Sequence, residues 1–386
     1  MGHADLAKKR YEQAAAQSTD YCFPNRHEEY AVLRRAAVLC PELANTWYYL
    51  GNVEWNYDQK ETALASWKKA LALKPDHALA LRNVGFGLAH PGTYFTNTGI
   101  PTGVPSEEAY GYYVKALAAD PSNFRALEEM DKLAEKLGKG TAERLDAMKK
   151  YRATAEKYDA CILRMAYLFN EAGDYDSSLK ILTGRRFHVW EGGEGLLAPF
   201  VDALLLRGIR KMEAKDFAGA KADFEQALTY PENLQAGRPG DAGTEPKVRY
   251  YLAQCYKAQG DEKNYRAELQ NALKGWVNPG EMNFYRVLVL RELKGDQKDV
   301  DVNLAELQKA IATLEKPQPK VIDAYAKFGG ENSPMERQAD NLWKAKYLRG
   351  LMALTAGKSA EAQALFQEVA AKKPAILWAK RMATVR

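Results

Sequence analysis

The sequence predicts an all-α protein built as an α-solenoid, a right-handed superhelix of about eight helical hairpins. Three observations support this prediction. A clear repeat of about 34 residues occupies positions 44–77, its spacing recurs along most of the chain, and no stretch shows a convincing strand pattern. We therefore expect residues 1–386 to form a single superhelix.

The repeat at 44–77 places small and large side chains where two crossing helices need them. Gly51 and Ala63 are small because the helices of a hairpin approach each other closely there. Large side chains fill the space around the crossing and a proline ends the second helix; these residues are Trp47, Leu50, Trp67 and Pro75. This spacing is that of the tetratricopeptide repeat (TPR), which predicts an interaction scaffold.

The same spacing recurs with varying quality. Residues 5–41 resemble a degenerate first repeat, and a third repeat begins at Ala78 with its second half displaced to 109–121. Further repeats begin at Asp159, at Val201, shortly before Leu252 and at Trp343, with a weaker helical pair at 283–316. Three stretches interrupt the pattern: an irregular loop at 91–108, a Gly-rich segment at 184–195 and a linker at 230–246.

Composition and charge narrow the function classes. The 55 basic and 50 acidic residues leave a net charge of +5 over 386 residues, too weak to indicate nucleic-acid or membrane binding. No apolar run spans a membrane and the N-terminus has no signal-peptide pattern. Four scattered cysteines without a C-x-x-C pair are typical of reduced thiols, so we expect a cytoplasmic protein, although a fragment of a longer protein could have lost its targeting segment.

The first helix of each TPR hairpin lines the concave face, and this predicts a binding groove. The side chains expected to line it are Tyr48, Asn52, Trp55, Arg82, Asn83 and Phe86. Aromatic side chains beside an arginine and asparagines suit an extended peptide or a sugar ring. The alternative is that they only coat a solvated groove.

Asn52 and Asn83 resemble half of the clamp with which chaperone-binding TPR domains hold a C-terminal carboxylate. The other half departs from that pattern, because Tyr48 replaces the expected lysine and Glu129 stands where an arginine is needed. A carboxylate clamp is therefore a minor alternative.

The segment 184–195, GRRFHVWEGGEG, has a composition that helical packing does not require. Arg185 and Arg186 could pair with the two glutamates and lock a turn. The segment could equally contact a ligand or partner. A third reading is catalysis by paired carboxylates with a histidine base. The candidate side chains are Arg185, Arg186, His188, Trp190, Glu191 and Glu194.

The loop at 91–108 supplies two further candidate contacts, Tyr94 and Phe95. The alternative is that both rings pack against their own hairpin. No nucleotide, nucleophile-elbow or metal-binding motif occurs, so we expect no cofactor and no metal.

Three phrases together resemble one family: DYCFPNRHEEYAVLRRA with WYYLGN (20–52), GRRFHVWEGGEG (184–195) and YPENLQAGRP (230–239). They are similar to the TPR-containing C-terminal half of large bacterial proteins that carry an N-terminal β-rich, mutarotase-like domain of unknown function. The resemblance implies a TPR tail that works with a carbohydrate-related domain, and it implies no established reaction. This chain lacks the β-rich domain, and its loop at 91–108 is longer than the family's compact turn.

The sequence thus predicts a non-catalytic scaffold that binds a protein segment or a neighbouring domain through its concave groove. The alternative is a carbohydrate-active or carbohydrate-binding module in which the segment 184–195 contributes to a sugar site.

Overall fold

The computed structural model describes residues 3–19, 22–90, 106–188, 195–235, 237, 242–317 and 334–384. Within these ranges the chain is all-α, with twenty α-helices, a short 3₁₀ helix at Glu232–Leu234 and no strand. The chain divides into two compact units: unit 1 is Met1–Cys161 with Lys320–Ser333, and unit 2 is Ile162–Pro319 with Pro334–Arg386. A single superhelix through both units stays a prediction.

Unit 1 consists of nine helices and the start of a tenth among its described residues. They are α1 (His3–Ala15), α2 (His27–Leu39), α3 (Ala44–Asn56), α4 (Lys60–Leu73), α5 (Ala78–Ala89), α6 (Glu107–Ala119), α7 (Phe124–Lys136), α8 (Thr141–Lys150) and α9 (Arg152–Ala155). Three hairpins, α3/α4, α5/α6 and α7/α8, stack in sequence order. The first helices of the first two hairpins, α3 and α5, carry the six residues predicted to line the groove.

The crossing of α3 with α4 confirms the predicted use of a small residue. A Cβ added at Gly51 would lie 2.5 Å from the Trp67 ring and 3.0 Å from the carbonyl oxygen of Ala63. The same relation holds in the next hairpin, where a Cβ at Gly85 would lie 3.1 Å from the Ala109 oxygen. The displaced second half of that repeat therefore packs as predicted.

The loop predicted at 91–108 ends two residues earlier than expected. Helix α6 already begins at Glu107, and the Ser106 hydroxyl accepts a hydrogen bond from the Ala109 amide at 3.2 Å. A serine in this position satisfies an amide that the first helical turn leaves without a partner. Residues 91–105, including Tyr94 and Phe95, lie outside the described residues.

Unit 2 contains most of α10, within which the boundary between the units falls, and ten further helices. They are α10 (Asp159–Ala172), α11 (Tyr175–Thr183), α12 (Leu197–Glu213), α13 (Phe217–Ala227), α14 (Glu245–Ala258), α15 (Glu262–Ala272), α16 (Glu281–Leu293), α17 (Gln297–Glu315), α18 (Pro334–Thr355), α19 (Ser359–Lys372) and α20 (Leu377–Met382). Five hairpins result, α10/α11, α12/α13, α14/α15, α16/α17 and α18/α19, and α20 follows them. Unit 1 thus has three hairpins and unit 2 has five among the described residues, and α1, α2, α9 and α20 belong to none of them.

A Gly-Asp pair forms the turn of two of these hairpins. Gly173 and Gly260 adopt φ values of 77° and 74°, a left-handed conformation that favours glycine. Asp174 and Asp261 follow directly, and each carboxylate accepts a hydrogen bond from an amide in the first turn of the second helix. The sequence thus encodes the end of one helix and the start of the next in two adjacent residues.

Candidate functional site

The first helices of unit 1 bring five of the six predicted groove residues onto one partly exposed surface. Asn52 and Trp55 come from α3, whereas Arg82, Asn83 and Phe86 come from α5. All five side chains are half-buried. We call these five residues, with Glu129 of α7, the unit 1 patch.

Tyr48, the sixth predicted groove residue, belongs to the core instead. It is 7% exposed and packs with Ala80 and Val84, while its ring centroid lies 4.8 Å from that of His77. The small Ala80 leaves room for the tyrosine ring between α3 and α5, so Tyr48 turns inward. Burial raises the pKa of its hydroxyl.

The aromatic half of the patch, Trp55 and Phe86, forms a short row of rings together with neighbouring His90. Trp55 and Phe86 meet edge to face with centroids 5.6 Å apart, and Phe86 stacks on His90 at 4.3 Å. The ammonium of Lys60 lies 3.7 Å from the centre of the Trp55 ring. Burial lowers the pKa of Lys60, although nearby Asp58 opposes this effect.

The polar half of the patch is a chain of hydrogen bonds that joins four helices, α3, α4, α5 and α7. The Asn52 side-chain oxygen accepts from the Trp67 indole at 3.0 Å and from the Asn83 amide at 2.8 Å. Arg82 donates to the Asn83 oxygen at 3.0 Å and to the Glu129 carboxylate at 2.7 Å through Nε. A second ion-pair contact joins Arg82 Nη2 to Glu129. The polar side chains of the patch are therefore already held in fixed orientations by hydrogen bonds to their neighbours.

The charge balance of the patch argues against the carboxylate clamp. Burial works against the positive charge of Arg82, but the adjoining Glu129 carboxylate outweighs it and raises the pKa of the guanidinium. On α7, which carries Glu129, the ammonium of Lys132 lies 2.7 Å from the Glu128 carboxylate. Because each of these basic groups already has a carboxylate partner, an incoming carboxylate would have to compete with Glu129 or Glu128.

The segment 184–188 is held by backbone and amide contacts to the 3₁₀ helix at Glu232–Leu234. The Phe187 amide donates to the Asn233 carbonyl at 2.8 Å. The Asn233 side chain donates to the carbonyl oxygens of Leu182 and Arg185 at 2.8 and 2.9 Å. Phe187 is 2% exposed, so it anchors this segment in the core of unit 2.

Sequence reasoning missed these contacts with Asn233, and the predicted pairing of Arg185 and Arg186 with two glutamates stays a prediction. Arg186 lies 3.5 Å from Glu232, an exposed pair, whereas His188 is exposed at the end of the described segment. The predicted partners Glu191 and Glu194, together with Trp190, lie outside the described residues. Residues 184–187 and 230–234 belong to two of the sequence segments that resemble the family, and they contact each other here. The occurrence of both segments in one chain was the sequence signal that could have predicted this contact.

In unit 2, side chains from the first helices of successive hairpins contact one another and are largely buried. Helices α12, α14, α16, α18 and α20 each contribute to one polar and aromatic cluster, formed by Asp202, Lys247, Tyr251, Glu281, Tyr285, Tyr347 and Trp378. The Trp378 indole donates to Asp202 at 2.8 Å, and the ammonium of Lys247 lies 2.9 Å from the Glu281 carboxylate. Tyr347 also donates to that carboxylate, at 2.6 Å. Burial raises the pKa of Asp202 and, more strongly, those of Tyr285 and Tyr347.

Neither the unit 1 patch nor the polar and aromatic cluster of unit 2 has the arrangement of side chains that a metal site requires. Among the described residues, no three or more His, Cys, Asp or Glu side chains lie close enough together to hold an ion. None of the described helices has a stretch long and apolar enough to cross a bilayer.

No protein-family model matches the chain. Among solved structures it is similar to YrrB, a TPR protein with an unusual peptide-binding site, at 15% identity over 68% of this chain and 97% of that one, with a TM-score of 0.33. A tetratricopeptide repeat protein from Parabacteroides merdae gives 15% identity over 78% and 99%, with a TM-score of 0.34. The Naa15/Naa10 complex bound to HypK-THB gives 11% over 99% and 65%, with a TM-score of 0.43.

With TM-scores below 0.5, these likenesses do not bear on what this chain binds. The fold assignment depends on the chain's own helix spacing and on its glycine-aromatic crossings. The protein is an all-α chain of TPR-type helical hairpins.

Proposed function

We propose that the chain is a non-catalytic scaffold that binds an extended protein segment through the unit 1 patch. The observation that supports this most directly is the Trp55–Phe86 ring pair beside the ordered Asn52–Asn83–Arg82–Glu129 chain. Half-buried aromatic side chains are typical anchors of protein interfaces. Asparagine amides can both donate to and accept from a peptide backbone.

Preorganisation favours such binding. A side chain that is already hydrogen-bonded loses less freedom when a ligand arrives, so less of the interaction free energy is lost to ordering. Arg82, Asn83 and Asn52 all have partners within the patch. The patch therefore resembles a preformed site more than a set of independent solvated side chains.

The ion pairs of the patch suggest which side chains the bound protein segment carries. Arg82 is neutralised by Glu129, and Lys132 by Glu128, so the surface has little net charge to offer. We infer that the preferred segment carries an aromatic or aliphatic anchor for Trp55 and Phe86 and no cluster of like charges. The proposal covers a segment of a separate protein as well as one from a neighbouring domain, such as the β-rich domain that the family resemblance implies.

Selection of peptides from a random library against the whole chain tests the proposal. We expect enriched peptides to share one apolar anchor, and Trp55→Ala and Phe86→Ala each to weaken their binding at least about tenfold by fluorescence anisotropy. Trp276→Ala is the matched control, because Trp276 is a tryptophan of unit 2 that is 63% exposed. Peptides whose affinity is unchanged by both patch substitutions would contradict the proposal.

The carbohydrate alternative gains no support from the described part of 184–195. Arg185 and Phe187 are held there by hydrogen bonds to Asn233, which accounts for this part of the segment structurally. We therefore put forward the scaffold function alone.

A further inference from the structure

The loop between α15 and α16 holds the side chain of Trp276 in solvent. Trp276 is 63% exposed, whereas the next residue, Val277, is buried. The Trp276 carbonyl oxygen accepts a hydrogen bond from the Ala242 amide at 2.7 Å. These contacts fix the loop and leave the indole ring outside. A single exposed ring is ordinary on a protein surface, so its surroundings decide whether it belongs to a binding site.

Arg286 of α16 lies beside this tryptophan. Its Nη2 donates to the carbonyl oxygens of Lys274 and Gly275 at 2.9 and 2.7 Å, and these two residues directly precede Trp276. Gly275 has a φ of 73°, a conformation that favours glycine. The guanidinium thus helps to hold the loop that carries the indole ring, and one short ligand segment can reach both groups.

Arg286 has no carboxylate partner in the described part of the chain. Its Nε is buried without a hydrogen-bond partner, and Nη2 makes its only hydrogen bonds to described residues. Burial lowers the pKa of Arg286, and no described carboxylate opposes this effect. Burial acts on Arg249 too, but Glu245 and Glu268 outweigh it and raise the pKa of that guanidinium. A carboxylate from another molecule would therefore stabilise the half-buried charge of Arg286.

A second basic side chain, Lys274, adds to the positive charge of this surface. It is exposed, and its ammonium lies 2.9 Å from the side-chain oxygen of Asn271, an amide rather than a carboxylate. We call Lys274, Trp276 and Arg286 the Trp276 site. Two cations beside an exposed ring are complementary to a segment that carries negative charge and an apolar side chain. A nucleic acid fits less well, because a single strand is bound along a positively charged groove with several stacking rings.

We propose that the Trp276 site binds an acidic segment of a separate protein, in which a carboxylate pairs with Arg286 and a neighbouring apolar side chain packs on Trp276. Lys274 attracts the same segment at longer range. This chemistry differs from that of the unit 1 patch, where Arg82 already pairs with Glu129. The inference does not depend on the function proposed for that patch, because the whole Trp276 site lies in unit 2.

A set of synthetic peptides tests the proposal. Each fluorescent octamer carries two adjacent glutamates and one leucine, with the leucine placed at every distance on either side, in a background of glycine and serine. A matched set has glutamine in place of glutamate, and anisotropy measures binding to the whole chain. We expect at least one arrangement to bind, and its glutamine counterpart to bind at least about fivefold more weakly. No binding by any glutamate peptide, or equal binding within every matched pair, overturns the proposal.

Variants of the whole chain assign this binding to the Trp276 site. Trp276→Ala should weaken it at least about tenfold, and the fold should persist because the ring is exposed. Arg286→Gln should abolish the preference for glutamate over glutamine. Arg291→Gln is the matched control, since Arg291 is an exposed arginine of the same helix, and it should keep both affinity and preference. The comparison of matched peptides on the unchanged chain stands even if Arg286→Gln does not fold.

Two further outcomes would overturn the proposal. Glutamate peptides that bind Trp276→Ala as tightly as the unchanged chain, or that lose their affinity in Trp55→Ala instead, bind elsewhere. A single-stranded oligonucleotide that binds more tightly than every peptide, and loses this affinity in Trp276→Ala, would assign the site to nucleic acid.

Discussion

Asn83 donates its side-chain amide to the Asn52 oxygen at 2.8 Å, and this bond joins the first helices of two successive hairpins. The Trp67 indole donates to the same Asn52 oxygen, while Arg82 donates to the Asn83 oxygen. Both amides therefore have their orientation set by neighbours. The bond lies beside Trp55 and Phe86, so the same residues that join the hairpins also shape the proposed binding surface.

Asn83→Ala should lower both stability and peptide affinity. Removing the amide deletes one donor to Asn52 and one acceptor for Arg82, which we expect to cost about 1–2 kcal/mol in the free energy of unfolding. Affinity for a selected peptide should fall severalfold, because Arg82 loses one of the two partners that position it. Urea denaturation and anisotropy on one sample measure both effects. A variant with lower stability and unchanged affinity would show that the amide chain serves packing only.

Gly208→Ala should destabilise unit 2 by about 1–3 kcal/mol, because an added Cβ would lie 2.5 Å from the Phe224 ring. Replacing Phe224 with leucine in the same chain should recover part of this loss. Gly111→Ala is the matched control: Gly111 is also inside a helix, but an added Cβ has no neighbour within 4 Å. There we expect stabilisation of up to about 1 kcal/mol. Thermal or urea unfolding distinguishes the pair, and equal behaviour of the two variants would contradict the crossing argument.

This crossing shows what the sequence could predict. Gly51 and Trp67 are sixteen residues apart, and so are Gly208 and Phe224. Gly350 and Phe366 repeat the spacing, and in each case an added Cβ would collide with the ring. Both partners lie within one hairpin, so the helical period alone determines their contact. The hairpins were therefore predictable from local spacing.

Contacts between distant parts of the chain were not predictable in this way. Trp378 and Asp202 are 176 residues apart, and their hydrogen bond depends on how the first helices of several hairpins converge. Repeat spacing contains no information on that convergence. The position of Tyr48 within its repeat indicated a groove residue, but the small Ala80 on the next hairpin gives its ring an inward space. The position of a side chain within its repeat therefore does not by itself determine whether it is buried or partly exposed, because the neighbouring hairpin also shapes its surroundings.

Asn233→Ala should release the segment 184–188. The side chain donates to the Leu182 and Arg185 carbonyl oxygens, and its loss leaves both acceptors without this donor. We expect a cost of about 1–3 kcal/mol and faster exchange of the Phe187 amide. Glu232→Gln is the neighbouring control, because its pair with Arg186 is exposed and should change stability by less than about 0.5 kcal/mol. If the Phe187 amide stays equally protected in Asn233→Ala, other contacts hold the segment.

His77 should make unit 1 less stable as the pH falls from about 6.5 to about 4. Its Nδ1 accepts from the Ala80 amide at 3.3 Å and its Nε2 lies 3.0 Å from the Asn45 oxygen, an arrangement that suits the neutral ring. Burial, aided by the charge of Lys74, lowers the pKa of His77 to about 4. The unfolded chain takes up this proton near pH 6.5, so between these values protonation favours unfolding, by up to about 3 kcal/mol at the acid end.

His77→Asn isolates this contribution, because asparagine can also accept from the amide at the helix start but does not titrate in this range. Urea midpoints at pH 7.5, 6 and 5 should fall further for the native chain than for the variant, and the difference between the two should become independent of pH above about pH 7. Other histidines and carboxylates affect both chains alike, so they cancel in that difference. Parallel curves for the two proteins would mean that His77 takes up its proton in the folded unit at the pH where it does so in the unfolded chain.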